Sequence, residues 1–202
     1  MSNPWQVVED FEAALRGYCG APYAVALSSA TAGLLLAFKH CYRYGMRREA
    51  NVKVPARTYV SVPITVLQAG YRLDWDYSEW CGIYQFDPLP VQDCALRLTA
   101  GMYEPGQIQV ISFAAAKILG MEQGGALLHD NRDADMWFRK MRYDGRTPGL
   151  AVQDDDIDVL GYHFPMIPSV AAQGLLRLHH LPKTNPDQVR VYADISKKKA
   201  FQ

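Results

Sequence analysis

Short apolar runs alternate with longer helical patterns along most of the chain, and this alternation constrains the fold more than any other feature. Residues 23–27 form an apolar run that precedes a helical stretch at 31–44, and residues 52–55 precede another at 61–69. Strands that alternate with helices predict an α/β fold with a mostly parallel sheet and helices on both faces. Because ligands bind such sheets at the carboxyl ends of the strands, we expect the chemistry in the strand-to-helix turns.

The same alternation continues to the end of the chain. A first helix is predicted over residues 3–18, with Asn3 as its cap and Pro4 at its first position. No repeat or low-complexity linker interrupts the pattern, so one domain over residues 1–202 is expected, frayed from Ile195 onward. The remaining predicted strands are 71–75, 83–86, 89–92, 108–113 and 126–129, and the remaining predicted helices are 133–143 and 170–180.

The charges of the chain balance, which narrows the classes of function. Lys plus Arg and Asp plus Glu both number 21, so the net charge is zero. This balance argues against a protein that binds nucleic acid or a membrane surface by bulk electrostatics. Acidic residues lie where a secretory leader would be apolar. Four scattered cysteines lack CxxC spacing, so no metal site is expected, and reduced thiols in a cytoplasmic protein are predicted.

The turn after the first predicted strand is a candidate anion site. The sequence AVALSSATAGLLLAF, residues 24–38, places small and hydroxylated residues between an apolar strand and a helix. A helix N-terminus favours an anion, and small side chains allow a phosphate to approach the backbone closely. A well-capped helix without a ligand gives the same pattern, so this turn alone does not decide between the two.

Two charged residues follow later strands. Asp93 comes directly after the apolar run 89–91, and Lys117 follows the strand that contains Ser112 and Phe113. Burial among small and apolar residues would favour the neutral amine of Lys117, as Schiff-base chemistry requires. Each residue also has a structural explanation, because Asp93 is able to cap a turn and Lys117 to extend its amine into solvent.

The order of these motifs resembles the DegT/DnrJ/EryC1/StrS family of sugar aminotransferases, which depend on pyridoxal phosphate. The resemblance runs from Phe11 to about Leu178. It rests on FEAALRGYCGAPYAVALSSATAGL, VPARTYVSVPITVLQAG, PVQDCA, SFAAAKIL, QGGALL and GYHFPMIPSVAAQGLLRL, which occur in that order.

The resemblance implies a role for each matching residue. Lys117 would carry the Schiff base and shuttle a proton, and Asp93 would pair with the pyridinium nitrogen of the cofactor. The other implied cofactor contacts are Ala30, Thr31, Ala32 and Ser112 around the phosphate, and Tyr59 and Ala95 on the two faces of the ring. His163 stands where the family has an Asn that reaches the phosphate of the neighbouring subunit, so it would either donate there or serve as a structural histidine.

The family also implies an architecture and a reaction. The chain would be an aspartate-aminotransferase-like (fold type I) large domain without the usual C-terminal small domain, and it would form a homodimer. The implied reaction transfers an amino group from an amino acid, with glutamate expected, to a keto-sugar nucleotide in amino-sugar or cell-surface polysaccharide biosynthesis.

Three departures from the family pattern keep alternatives open. Leu96 replaces a polar residue that reaches the cofactor, His163 and Pro165 replace an Asn and an Arg, and the chain is shorter than full family members. These departures favour a catalytically silent cofactor or sugar-nucleotide binder, or a subunit that completes its site with another chain. The family's dehydratases are a third alternative, but they carry His in place of the lysine that is present here as Lys117.

Overall fold

The computed structural model describes residues 3–201, which contain five α-helices and seven β-strands. Their order confirms the alternating α/β pattern, and helix α3 has the predicted bounds. The helices are α1 Gln6–Cys19, α2 Ala30–Arg43, α3 Ser61–Ala69, α4 Arg132–Met141 and α5 Pro168–His179. The strands are β1 Tyr23–Leu27, β2 Asn51–Pro55, β3 Arg72–Asp76, β4 Tyr84–Gln85, β5 Val91–Asp93, β6 Ile108–Ser112 and β7 Gly125–His129.

The strands form two sheets, and the pairing differs from the predicted mostly parallel arrangement. The larger sheet has the order β1-β7-β6-β5-β4, and only its β5–β6 pair is parallel. Strands β2 and β3 form a separate parallel pair. Strands β4 and β5 pair antiparallel because only residues 86–90 connect them. A parallel neighbour would need a crossover connection, usually a helix.

Helices cover both faces of the larger sheet, as predicted. Successive residues of β1 point to opposite faces, so Val25 packs with α2 and α4 while Ala26 packs with α1 and α5. Strand β6 alternates in the same way, with Val110 on the first face and Ile111 on the second. The sheet is therefore buried on both sides, which explains why its strands read as continuous apolar runs.

The two helix starts that the sequence addressed differ in outcome. Ser29 caps α2, because its hydroxyl accepts a hydrogen bond from the Ala32 N–H at 3.1 Å, as the small-residue turn suggested. The prediction for Asn3 is wrong, since α1 begins at Gln6 with Trp5 at the cap position. The Asn3 side chain instead accepts a hydrogen bond from the Trp5 N–H.

A buried ion cluster joins α1, α4 and the edge strand β1. Glu12 of α1 is 3% exposed in its side chain and pairs with Arg139 of α4 and with Arg142, while it also accepts the Ala26 N–H of β1. Burial by itself would lower the pKa of Arg139, but the carboxylates of Glu12 and Asp135 raise it above its ordinary value. The cluster fixes α1 and α4 against the end of the sheet that carries the anion turn.

Candidate active site

Asp93 lies at the carboxyl edge of the one parallel strand pair of the larger sheet. It is the last residue of β5 and is in register with Val110 of β6, so both strands end at the same edge. Its side chain is buried, and one carboxylate oxygen accepts the Ala95 N–H at 2.8 Å. The other oxygen has no hydrogen-bond partner among residues 3–201. Burial raises the pKa of Asp93, while the Ala95 N–H and the charge of Lys117 lower it.

Lys117 lies in the turn that leaves β6 at the same edge. Its backbone N–H donates to the carbonyl oxygen of Ala114 at 2.8 Å, which holds the turn, and its side chain is half-buried. Burial lowers the pKa of the amine, Asp93 raises it and Arg190 lowers it again. The structure therefore brings together the two residues for which sequence analysis predicted catalytic roles, in surroundings that lower the pKa of the amine.

The start of α2 forms the second part of the site. The first turn of α2 is capped by Ser29 and carries no acidic residue. The Thr31 hydroxyl lies 2.8 Å from the Ser61 hydroxyl at the start of α3. The hydroxyl groups of Thr31 and Ser61 therefore lie together at the N-terminus of α2, the positive end of its dipole. Sequence analysis missed Ser61, although its position at the beginning of a predicted helix was a usable signal.

Gly125 of β7 allows this turn to lie against the sheet. A Cβ atom at this position would lie 2.4 Å from the backbone nitrogen of Ala30, which is closer than any side chain permits. The glycine therefore positions the first residues of α2 rather than providing a flexible joint. This contact explains the second glycine of the QGGALL motif.

The other residues with predicted cofactor roles occupy varied surroundings. Ser112 ends β6 with a half-buried hydroxyl, and Tyr59, before α3, is 61% exposed. The Ala95 N–H is bound to Asp93. Leu96, the apolar departure from the family pattern, is 2% exposed and belongs to the core. Its burial accounts for the missing polar group at that position.

His163 lies on an exposed loop. One ring nitrogen is 2.8 Å from a carboxylate oxygen of Asp144, and its ring lies near that of Tyr143. These are the contacts of its side chain among residues 3–201, so its predicted role toward a neighbouring subunit stays a prediction.

The segment after α5 was expected to be frayed from Ile195, but this prediction is wrong. Ile195 and Ser196 are both 8% exposed, and the Ile195 N–H donates to the Ala56 carbonyl at 2.9 Å. The same segment carries Tyr192, whose ring stacks on Trp80 at 6.1 Å between centroids. Sequence analysis missed the contact of Tyr192 with Trp80, since residues 183–193 lie in no strand or helix.

The assembled groups define the ligand that the site is able to hold. The amine of Lys117 suits a carbonyl carbon, the free oxygen of Asp93 suits a protonated nitrogen, and the start of α2 suits a phosphate. Within residues 3–201, no group of three or more His, Cys, Asp or Glu side chains is placed to hold a metal ion. No helix in that range is long and apolar enough to cross a membrane.

Comparison with solved structures confirms the fold type. CalS13, a sugar aminotransferase from Micromonospora echinospora, matches with a TM-score of 0.70 and 21% identity over 87% of this chain and 60% of its own. AtS13 from Actinomadura melliaura matches with a TM-score of 0.74 and 21% identity over 87% of this chain and 60% of its own. NtdA from Bacillus subtilis matches with a TM-score of 0.69 and 19% identity over 90% and 49%. This chain therefore spans about 60% or less of the length of these structures.

Comparison with curated proteins found no match. The family model of the DegT/DnrJ/EryC1/StrS aminotransferases matches residues 2–81 and 99–198. Lys117, the α2 turn and Tyr59 lie within the matched residues, whereas Asp93 and Leu96 lie in the segment between them. Because the match covers most of the sequence, the chain belongs to the DegT/DnrJ/EryC1/StrS aminotransferase family.

Proposed function

We propose that the chain binds pyridoxal phosphate covalently through Lys117 and catalyses amino transfer. The observation that carries this proposal is the proximity of a buried carboxyl group, Asp93, to a half-buried amine with a lowered pKa, Lys117, at the carboxyl edge of a parallel strand pair. The groups of the site suit the three reactive parts of this cofactor. The amine of Lys117 suits its aldehyde, the free carboxylate oxygen of Asp93 suits its ring nitrogen, and the start of α2 suits its phosphate.

Bound pyridoxal phosphate supplies an aromatic ring that accepts electrons from the carbon that loses its proton. The residues of this chain have separate tasks around it. Asp93 would hold a proton at the ring nitrogen, because an ionised carboxylate favours a neighbouring cation. Lys117 Nζ moves a proton to and from the reacting carbon. Ser112 and the start of α2 would bind the phosphate, and the ring of Tyr59 would stack on the cofactor.

The proposed substrates are an amino acid, with glutamate as donor, and a keto-sugar nucleotide as acceptor. Family membership and the similarity to CalS13, which is a sugar aminotransferase, support this choice. A place in amino-sugar or cell-surface polysaccharide biosynthesis rests on the same support. Homodimer formation, a cytoplasmic location and the contribution of His163 to a neighbouring subunit are proposals of the same kind, as is the interpretation of residues 1–202 as a single cofactor-binding domain.

A binder without turnover is the second candidate. Leu96 favours it, because the core position of this side chain leaves no polar group three residues after Asp93. Such a protein would hold the cofactor but would not exchange its amino group.

Absorption spectra of the purified protein with added pyridoxal phosphate test both candidates. The wild type should develop a yellow band that borohydride converts into a stable adduct at Lys117, found by peptide mass spectrometry. Lys117→Ala should show only free cofactor, and Lys53→Ala on the exposed side of β2 should behave as the wild type.

Addition of glutamate then separates the two candidates. Loss of the yellow band with release of 2-oxoglutarate supports amino transfer. A stable band in glutamate supports the binder, and a wild type that shows only free cofactor overturns the proposal.

A further inference from the structure

The turns that carry the two catalytic candidates continue beyond the strands that hold their starting points together. Strands β5 and β6 are paired in parallel, and this pairing ends where Asp93 ends β5. Within residues 3–201, no hydrogen bond runs directly between the turn 94–97, after Asp93, and the turn 113–117, which contains Lys117. A hydrogen-bonded link between the two turns therefore has to come from a third part of the chain.

Gln188, in the segment after α5, provides this link. Its backbone N–H donates to the carbonyl oxygen of Leu96 at 2.8 Å, and its side-chain amide donates to the carbonyl oxygen of Ala116 at 3.2 Å. Leu96 lies three residues after Asp93, and Ala116 directly precedes Lys117. A single residue therefore joins the two turns, one through its backbone and the other through its side chain.

The segment that carries Gln188 is held at both ends, and we term it the strap (residues 187–196). At its beginning Asp187 accepts a hydrogen bond from Nε of Arg97 at 2.7 Å. At its end the backbone forms a bridge with the chain that follows β2. The side-chain amide of Gln188 therefore extends from a backbone that is attached on both sides, so its hydrogen bond is able to restrain the turn that it reaches.

The position of the turn 113–117 affects the amine of Lys117. Burial lowers the pKa of this amine, and the carboxylate of Asp93 raises it. Both effects depend on where the turn lies, because burial and the distance between charges set the balance between the two protonation states. If the turn moved outward, the amine would regain solvent and its pKa would rise toward the ordinary 10.5.

We propose that Gln188 is a positioning residue, whose side-chain amide holds the turn of Lys117 beside the turn of Asp93 and thereby presents the amine to the aldehyde of the cofactor. The part that concerns the cofactor rests on the proposed function, whereas the restraint on the turn is a property of the chain alone. Gln188 acts through the backbone of Ala116. Because this hydrogen bond lies at the surface, its loss should free the turn without unfolding the protein.

The pKa of Lys117 in the cofactor-free full chain tests the restraint. Trace acetylation with acetic anhydride over a range of pH, followed by peptide mass spectrometry, gives this pKa, and the pH profile separates a change in pKa from a change in access to the reagent. Gln188→Met keeps the length of the side chain but removes the donor, so the pKa of Lys117 should rise. The matched control Gln153→Met, at an exposed position, should keep the wild-type profile.

A second variant separates loss of the amide from displacement of the strap. Asp187→Asn weakens the attachment at the start of the strap but keeps Gln188, so it should leave the pKa of Lys117 unchanged. Cys81 reports the position of the strap, because its sulfur lies 3.8 Å from the carbonyl oxygen of Gln188. Equal rates of Cys81 alkylation in the wild type and Gln188→Met, together with a raised pKa of Lys117, support the proposal. An equal rise of this pKa in Gln188→Met and Asp187→Asn overturns it, because the whole strap would then be responsible.

Binding of pyridoxal phosphate is the readout that depends on the proposed function. The affinity measured from the yellow band should fall about three-fold or more in Gln188→Met and should not change in Gln153→Met. An unchanged pKa of Lys117 in Gln188→Met overturns the inference even if borohydride traps the cofactor on Lys117, and so does a raised pKa with unchanged affinity. If the pKa rises but borohydride traps nothing on the wild type, the restraint on the turn is supported while the proposed function fails.

Discussion

Asp93, the last residue of β5, and Lys117, in the turn after β6, lie close enough for each to shift the pKa of the other, although burial disfavours both charges. Each charged group has lost hydration on folding without gaining a full set of hydrogen-bond partners, so the pair lowers the stability of the ligand-free protein. The same incompletely paired groups are available to bind a ligand.

We expect Asp93→Asn to stabilise the cofactor-free protein. Burial raises the folded-state pKa of Asp93 above 3.8, so just above pH 3.8 the folded chain keeps a proton that the unfolded chain has released. Stability is therefore lost as pH rises through this window. The variant avoids this loss and should gain about 1 kcal/mol in free energy of unfolding at pH 7, with a smaller gain near pH 4. Urea unfolding measures this, with exposed Asp74→Asn as control. Lower stability of Asp93→Asn at pH 7 would contradict it.

Replacing Glu12 should lower the free energy of unfolding more than any other single change of a charged residue in α1. Glu12→Gln leaves Arg139 and Arg142 partly buried without their shared counter-charge. The free energy of unfolding should fall by about 3 kcal/mol or more. Exposed Glu9→Gln on the same helix should change it by less than about 0.5 kcal/mol. Equal denaturation midpoints for both variants would contradict the importance of the cluster.

His40 makes the fold sensitive to acid. Burial, together with the charges of His129 and Arg43, lowers its pKa from 6.5 to about 4. Below pH 6.5 the unfolded chain binds a proton that the folded chain does not take up until about pH 4, so stability falls across this window. At 1.36 kcal/mol per pH unit the loss is about 3 kcal/mol.

The variant His40→Phe isolates this contribution. The ring of His40 lies among Trp137, Phe138 and Tyr44, so an aromatic replacement suits the site. The free energy of unfolding of the variant should vary less between pH 6.5 and 4, whereas exposed His180→Asn should keep the wild-type slope. An unchanged slope in His40→Phe would assign the acid sensitivity to other groups.

A pair of glycine substitutions should have opposite effects. Gly125→Ala brings a Cβ to 2.4 Å from the Ala30 nitrogen and should lower the free energy of unfolding by about 1–3 kcal/mol. Gly17→Ala, inside α1 with no atom within 4 Å of the added Cβ, should raise it by about 0.5–1 kcal/mol. Thermal melts compare the two, and a stable Gly125→Ala would show that the α2 turn adjusts freely.

The sequence by itself determined the local features of this protein. The bounds of α3 and the Ser29 cap follow from residues that are neighbours along the chain, whose propensities and hydrogen bonds act over a few positions. Asp93 and Lys117 each follow an apolar strand, but their catalytic roles were assigned from the resemblance of the ordered motifs to the family. Membership of the family is also visible in motifs that keep their order.

The tertiary structure decided the rest, because contacts between distant segments depend on three-dimensional packing that local patterns do not encode. Most pairs in the larger sheet are antiparallel, including β1 with β7, which lie far apart along the chain. Leu96 entered the core instead of the site. Gln188 donates to the carbonyl oxygen of Ala116 and Tyr192 stacks on Trp80, although their segment has no periodic pattern that would predict either contact.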